Sequence, residues 1–315
     1  MKILDLFEAD RRKRNKLLFF RQTIDSLLNK VKGKTIVVFD TETSGLSVLL
    51  PWVQVTEIAA VAIDGDTGKE IGTFHKKIRL TPETRNEINR ERSSATKDDT
   101  GAREGPKGWT IQKLFKQSRY GDKNTQFGEI KRVYQDWVNW LNQFNKPIMV
   151  AQNAGFDMTH MFAPLKKLEI ARPAIGEVMD TMVLARSWIY PLLKSAAAAG
   201  DESSEQMLKA FDIERNGRKT QSFTLQNIGK AFDVSATHWH SGISDTMQTL
   251  GIFQGMLKFL ADAKEKNLET SDVFKQWHAK MSKAAFSYGK QPARQQTIKS
   301  ITAKGKTARA EVKSS

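Results

Sequence analysis

Cysteine is missing altogether from the 315 residues, which excludes disulfides, cysteine-ligated zinc, iron–sulfur clusters and thiol nucleophiles. Long hydrophobic runs are missing too: no stretch approaches the roughly 18 apolar residues of a membrane-spanning helix. The first residues, MKILDLFEADRRKRNK, mix acids with apolar residues and put the basic cluster after them, the reverse of a secretory signal. No internal repeat is visible. A soluble, cytoplasmic protein with no membrane partner is expected, long enough to bury a full core in one or two domains.

Acid is in short supply. Asp and Glu number 35 against 50 Lys and Arg, for a net charge of +15. The excess sits at the ends: residues 1–34 hold ten Lys or Arg against four acids, and residues 286–315 hold seven against one. Basic arms on a near-neutral body suit a polyanionic partner, because Lys and Arg release counterions from phosphates. Solvated tails that merely solubilise are the alternative.

In the body, TIVVFDTETSGL (Thr35 to Leu46) ends an apolar run in two carboxylates, Asp40 and Glu42. Strand side chains alternate, so these two share a face. Adjacent carboxylates repel unless a cation lies between them, and hard divalent cations take oxygen ligands. A polar strand end running into a Ser-Gly turn is the plainer reading, so the rest of the chain must supply more ligands.

The first 34 residues read as a basic helical extension. Val55–Asp64 and Ile71–Leu80 form a hairpin around an Asp/Gly turn. Residues 81–128, polar and punctuated by Gly101, Gly105 and Gly108, form an insertion that lacks a P-loop pattern. Ile130, Val133, Tyr134, Trp137, Val138 and Leu141 recur at helical spacing and predict a helix over 127–144, with its aromatics in the core. Pro147 to Ala151 is a short buried strand leading through a turn into a helix, and residues 175–188 repeat strand-then-helix. Residues 191–222 read as a second polar insertion with a short helix. FTLQNIGKAF and SGISDTMQTLGIFQGMLKFL close the body as two helices. A helix near 270–285 leads into a tail too poor in apolar residues to fold alone. The division is thus a basic N-terminal extension (1–34), a central domain (35–262) and a C-terminal helix with a basic tail (263–315). A hairpin followed by βα units predicts an α/β fold with a mixed sheet.

Two further carboxylates open helices: Asp157 in NAGFD after a buried strand, and Asp245 in HSGISD. Each alone is an acid complementing a helix dipole. His240 precedes Asp245 by five residues and can share a site with it only from the loop entering the helix, where Gly242 permits a bend.

Together, FDTETSGL, NAGFD and HSGISD resemble, in order, the three motifs of the DEDD superfamily of 3′-to-5′ exonucleases, in the DEDDh subgroup whose third motif carries a histidine. The resemblance covers about 35–262. It implies a ribonuclease H-like fold, a mixed five-stranded sheet with helices on both faces. It also implies two divalent cations, Mg2+ with Mn2+ as substitute, held by Asp40, Glu42, Asp157 and Asp245. His240 would be the general base, and Thr41, Thr43, Leu46, Asn153 and Phe156 would meet the terminal nucleotide, with Leu46 as a wedge. The activity implied is release of nucleoside 5′-monophosphates from a 3′ end, on DNA in preference to RNA. An RNA-trimming enzyme and an inactive nucleic-acid-binding adaptor are the alternatives. His238 is an accessory residue in this reading, and a zinc site with His240 lacks a third ligand. His75, His160 and His278 have no partners by spacing, and nothing demands a ligand role for Glu57. Ile3 to Phe7, ILDLF, resembles a bacterial sliding-clamp-binding peptide without its leading glutamine.

Overall fold

A computed structural model describes residues 23–45, 48, 50, 53–87, 127–215, 217–235 and 241–287. At its centre lies β1 (Thr35–Thr43), in which Val37, Val38 and Phe39 are completely buried. β2 (Val55–Asp64) pairs with it antiparallel, and β3 (Glu70–Ile78) pairs antiparallel with β2. The two-residue β4 (Phe127–Gly128) adds parallel to the outer edge of β3. On the other side of β1, β5 (Ile148–Ala151) and then β6 (Val178–Asp180) add in parallel. The sheet order is β4-β3-β2-β1-β5-β6. Five of its strands, β3-β2-β1-β5-β6, form the mixed sheet expected of a ribonuclease H-like fold; the sixth, the edge strand β4, comes from the very end of the 81–128 stretch.

Helices cover both faces. α1 (Ile24–Val31) is capped by the Thr23 side chain, which accepts from the Ser26 N–H. α2 (Ile130–Leu141) and α3 (Ala154–Lys167) lie on one face. Val37, Phe39, Ile58 and Phe74 of the sheet meet Tyr134, Trp137, Met161 and Leu165 there. Pro164 interrupts α3 and, lacking an N–H, leaves the His160 carbonyl without its helical donor. The buried Tyr134 hydroxyl of α2 donates to that carbonyl at 2.9 Å.

On the opposite face, α4 (Thr181–Leu184) runs through a π turn, Ala185–Ile189, into α5 (Tyr190–Ala198). α6 (Glu202–Lys209) follows, then the hairpin β7 (Asp212–Arg215) and β8 (Arg218–Gln221), and α7 (Leu225–Ala231). The 24-residue α8 (Gly242–Glu265) and α9 (Asp272–Ser287) complete it. Ile36, Val38, Val61 and Val150 of the sheet meet Ile252, Phe253, Met256 and Leu260 of α8 on this side. With helices on both sides, nine of the ten residues of β2 are buried, a pattern proper to a sheet covered on both faces.

The extensions drawn from composition are partly core. Ile24 and Leu27 of α1 are fully buried. Phe274 of α9 packs on Trp188 with ring centroids 5.4 Å apart, and α8 runs past residue 262. The stretch 191–222 begins in the interior, with Leu192 and Leu193 fully buried. Among the described residues, only β7 and β8 stand outside the main sheet. Among the described residues no helix is long and apolar enough to cross a membrane.

The β2–β3 turn is pressed against the end of α1. Gly65 donates its N–H to the Lys34 carbonyl at 2.8 Å, and a Cβ there would come within 2.0 Å of the Val31 oxygen. Gly65→Ala must push the turn off the helix, at about 1–3 kcal/mol. A chemical denaturation midpoint equal to wild type would refute this contact.

Candidate active site

The alternation of β1 decides which side chains meet at its end. Ile36 and Val38 face α8, and Asp40 and Glu42 continue that row; Val37 and Phe39 face α2 and α3, and Thr41 continues theirs. α8 starts at Gly242 after its N-cap Ser241 and carries Asp245 in its first turn. The half-buried Asp40, Glu42 and Asp245 each offer a carboxylate oxygen, all within 4.8 Å of one another. A donor set of hard oxygens at that separation fits a divalent cation.

Close approach of α8 makes this possible. A Cβ at Gly242 would lie 3.0 Å from Oε1 of Glu57 and 3.3 Å from its Cδ and Cγ. Gly242 therefore acts by letting the helix rest on β2, and its φ is not in the left-handed region. Thr246 ties the same turn down, its hydroxyl donating to the Gly242 carbonyl at 2.7 Å and lying 3.2 Å from the Ala59 carbonyl. Glu57 stands opposite Glu42 in the β1–β2 register and is 1 % exposed. Its Oε1 is 2.9 Å from His75 Nε2, so His75 has a partner that spacing did not reveal. The signal available for Glu57 was a single charge inside an otherwise apolar strand.

Asp157 reaches the same strand from the opposite face. α3 opens from Asn153, held in the left-handed region with φ 58° and ψ 45°, and its first turn brings Asp157 to Thr41. The Thr41 N–H donates to Asp157 Oδ1 at 3.0 Å and the Thr41 hydroxyl at 2.6 Å. Asp157 is thus not a member of the three-carboxylate group but is bonded to the residue between two of its members. Burial pushes its carboxyl up to about 7; the bonds from Thr41 pull the other way, and the negative charge of Asp180 adds to the rise. Asp180 is itself pushed up by burial. Its Oδ1 accepts from the N–H groups of Asn153 at 3.1 Å, Met182 at 3.0 Å and Val183 at 3.3 Å. It caps α4 and fixes the turn before α3 at once, and the sequence reading gave it no role.

The remaining candidates surround this group. The Thr43 hydroxyl donates to the Gly45 carbonyl at 2.9 Å. Phe156, half-buried, lies against the His160 ring at 4.1 Å between centroids, and His160 Nδ1 is 3.0 Å from the Phe156 carbonyl. Burial holds the His160 pKa below its usual value, with backbone groups of Phe156 and Gly45 pulling upward. His160 is therefore packed beneath Phe156, while His278 lies among Trp188 and Phe274. Leu46, His238, His240 and residues 3–7 lie outside the described residues.

No family model matches the chain. Over 242 residues, 77 % of its length, it is 27 % identical to the DNA polymerase III PolC-type of Bacillus subtilis (strain 168), and the match spans 12 % of that protein. Among solved structures it is similar to E. coli exonuclease I in complex with a dT13 oligonucleotide, at a TM-score of 0.43 and 12 % identity over 70 % of this chain and 40 % of that one. A structure of exonuclease I without ligand gives a TM-score of 0.46 at 12 % identity, over 72 % of this chain and 44 % of that one. The chain spans about an eighth of the curated relative that it matches.

Folded Asp157 keeps its proton up to about pH 7, whereas an ordinary Asp releases it near 3.8. The folded state therefore binds more protons over that interval, and its stability falls as pH rises through it. Asp157→Asn keeps an acceptor for Thr41 and removes the titration. In EDTA the Tm of the variant should match wild type near pH 4 and exceed it at pH 8; parallel Tm profiles would refute the assignment.

Proposed function

We propose that the chain is a metal-dependent 3′-to-5′ exonuclease of the DEDD superfamily that acts on DNA and releases nucleoside 5′-monophosphates. The observation that carries this reading is the convergence of Asp40, Glu42 and Asp245 within 4.8 Å, with Asp157 bonded to the intervening Thr41. Sequence similarity to a PolC-type DNA polymerase III supports DNA as the polymer, as do the basic ends of the chain.

The all-oxygen donor set suits two magnesium ions, with manganese as substitute. Bound there, such a pair supplies a water of lowered pKa and charge stabilisation for the attacking and leaving oxygens. Asp40, Glu42 and Asp245 hold the cations, and Asp157 completes the set. His240, immediately before the N-cap Ser241, takes the proton of the attacking water as general base. The water oxygen bonds to phosphorus, the bond to the 3′ oxygen of the preceding nucleotide breaks, and that oxygen takes a proton from solvent, to which His240 returns the one it took. The Thr41 hydroxyl is committed to Asp157, so Thr43, Leu46, Asn153 and Phe156 supply the side chains around the terminal nucleotide. The enzyme works in the cytoplasm, with residues 3–7 as a docking peptide for a sliding clamp.

The test uses 5′-labelled DNA and RNA of one sequence, each with magnesium, manganese or EDTA. A ladder shortening from the 3′ end, faster on DNA and absent in EDTA, is expected. Asp245→Ala should abolish it, and His240→Ala should slow it by about 10²–10⁴-fold. Tight binding with no ladder under any metal condition would instead favour the adaptor, and faster RNA shortening would favour the RNA-trimming reading.

A further inference from the structure

At the end of β3 lies a cavity of about 400 Å³ lined by Arg79, Thr81, Arg85 and Asn86, with Leu80 and Ile130 as its apolar wall. We propose that it binds the phosphodiester backbone of the substrate strand upstream of the scissile bond, an inference that rests on the exonuclease reading. Its volume falls in the range of ordinary ligand pockets. Arginine presents a planar fork of donors that matches phosphate oxygens.

Position in the sheet supports this. β3 runs parallel to β1, so Glu42, Glu57 and Lys77 form one cross-strand row. Arg79 lies two residues beyond Lys77, at the same end of the sheet as Asp40 and Glu42. With strands about 4.8 Å apart, β3 is about 10 Å from β1. A strand whose 3′ end sits at the carboxylates and that leaves toward β3 passes the end of that strand. Lys77, Arg79 and Arg85 put positive charge along that path, beside a carboxylate group that would otherwise repel phosphates.

The cavity is also tied to the site. The buried Gln54 accepts from the Thr81 N–H at 2.8 Å and from the Thr84 hydroxyl at 2.9 Å, and donates to the Arg79 carbonyl at 3.1 Å. Its own backbone N–H donates to the Ser44 hydroxyl at 2.9 Å, two residues past Glu42. One residue, through its side chain and its backbone together, thus ties the cavity floor to the end of β1. Glu129 also lines the cavity and lies 3.1 Å from Arg79, with both side chains more than half exposed. So exposed a pair is weakly held, and a phosphate can displace the carboxylate.

Two measurements test this. Anisotropy of a labelled single-stranded DNA oligonucleotide in EDTA reads binding without turnover. The Arg79→Ala/Arg85→Ala double variant should weaken binding at least about tenfold and flatten its salt dependence, whereas Glu129→Gln should tighten it. An unchanged Kd in the double variant would overturn the proposal. With magnesium, the ratio of kcat/KM on that oligonucleotide to kcat/KM on the p-nitrophenyl ester of thymidine 5′-monophosphate should fall by a similar factor in the double variant. Equal losses on both substrates would show a general defect and overturn it too. A wild type that binds the oligonucleotide through these arginines but hydrolyses neither substrate would overturn the exonuclease reading and leave the subsite standing.

Discussion

Mutual repulsion of carboxylates is the constraint around which this structure is arranged. Two like charges about 4 Å apart repel by about 1 kcal/mol in water and about 4 kcal/mol at a partly buried site, and here three carboxylates crowd within 4.8 Å. Such a group needs a scaffold that does not yield. Asp40 and Glu42 extend from the central strand, just past its fully enclosed run Ile36 to Phe39. Asp245 rides on a helix whose later turns are fixed in the core by Ile252, Phe253, Met256 and Leu260. The site lies at the rim, and the rigidity that confines it comes from behind.

The same constraint explains why the fourth carboxylate is handled differently. Asp157 comes from the other face of the sheet, and two donors of Thr41 meet it there. Burial favours its neutral form, which lessens its repulsion toward Asp40 and Glu42 on either side of Thr41. A cation drawn to the group would favour the ionised form again, so this carboxyl need be charged only when there is something to bind.

What was legible in the chain was what local rules govern. The spacing from Ile130 to Leu141 predicted a helix over 127–144, and α2 occupies the middle of that range, with Phe127 and Gly128 going instead to β4. The two-residue period of β1 placed Asp40 and Glu42 side by side, and the apolar hairpin gave β2 and β3. What escaped depends on how closely elements approach. Glu57 was visible only as a charge in an apolar strand, and Gly242 as a bend, because their contact exists only once α8 lies on β2. Asp180 fell unremarked within the strand-then-helix stretch 175–188; its bond to the Asn153 N–H joins two loops 27 residues apart. The composition of residues 191–222 hid Leu192 and Leu193, whose burial comes from α5 packing beside α6 and α9.

Pro164 and Tyr134 carry a consequence for the chain's descendants. The proline strips a donor from α3, and the tyrosine of another helix restores it at the His160 carbonyl. Replacing the proline with a residue that bears an N–H would make the phenol redundant, and phenylalanine would then serve at 134. Replacing the tyrosine first would strand a buried carbonyl. Substitution at these two positions has a preferred order, so lineages that diverge here should lose the proline before the hydroxyl.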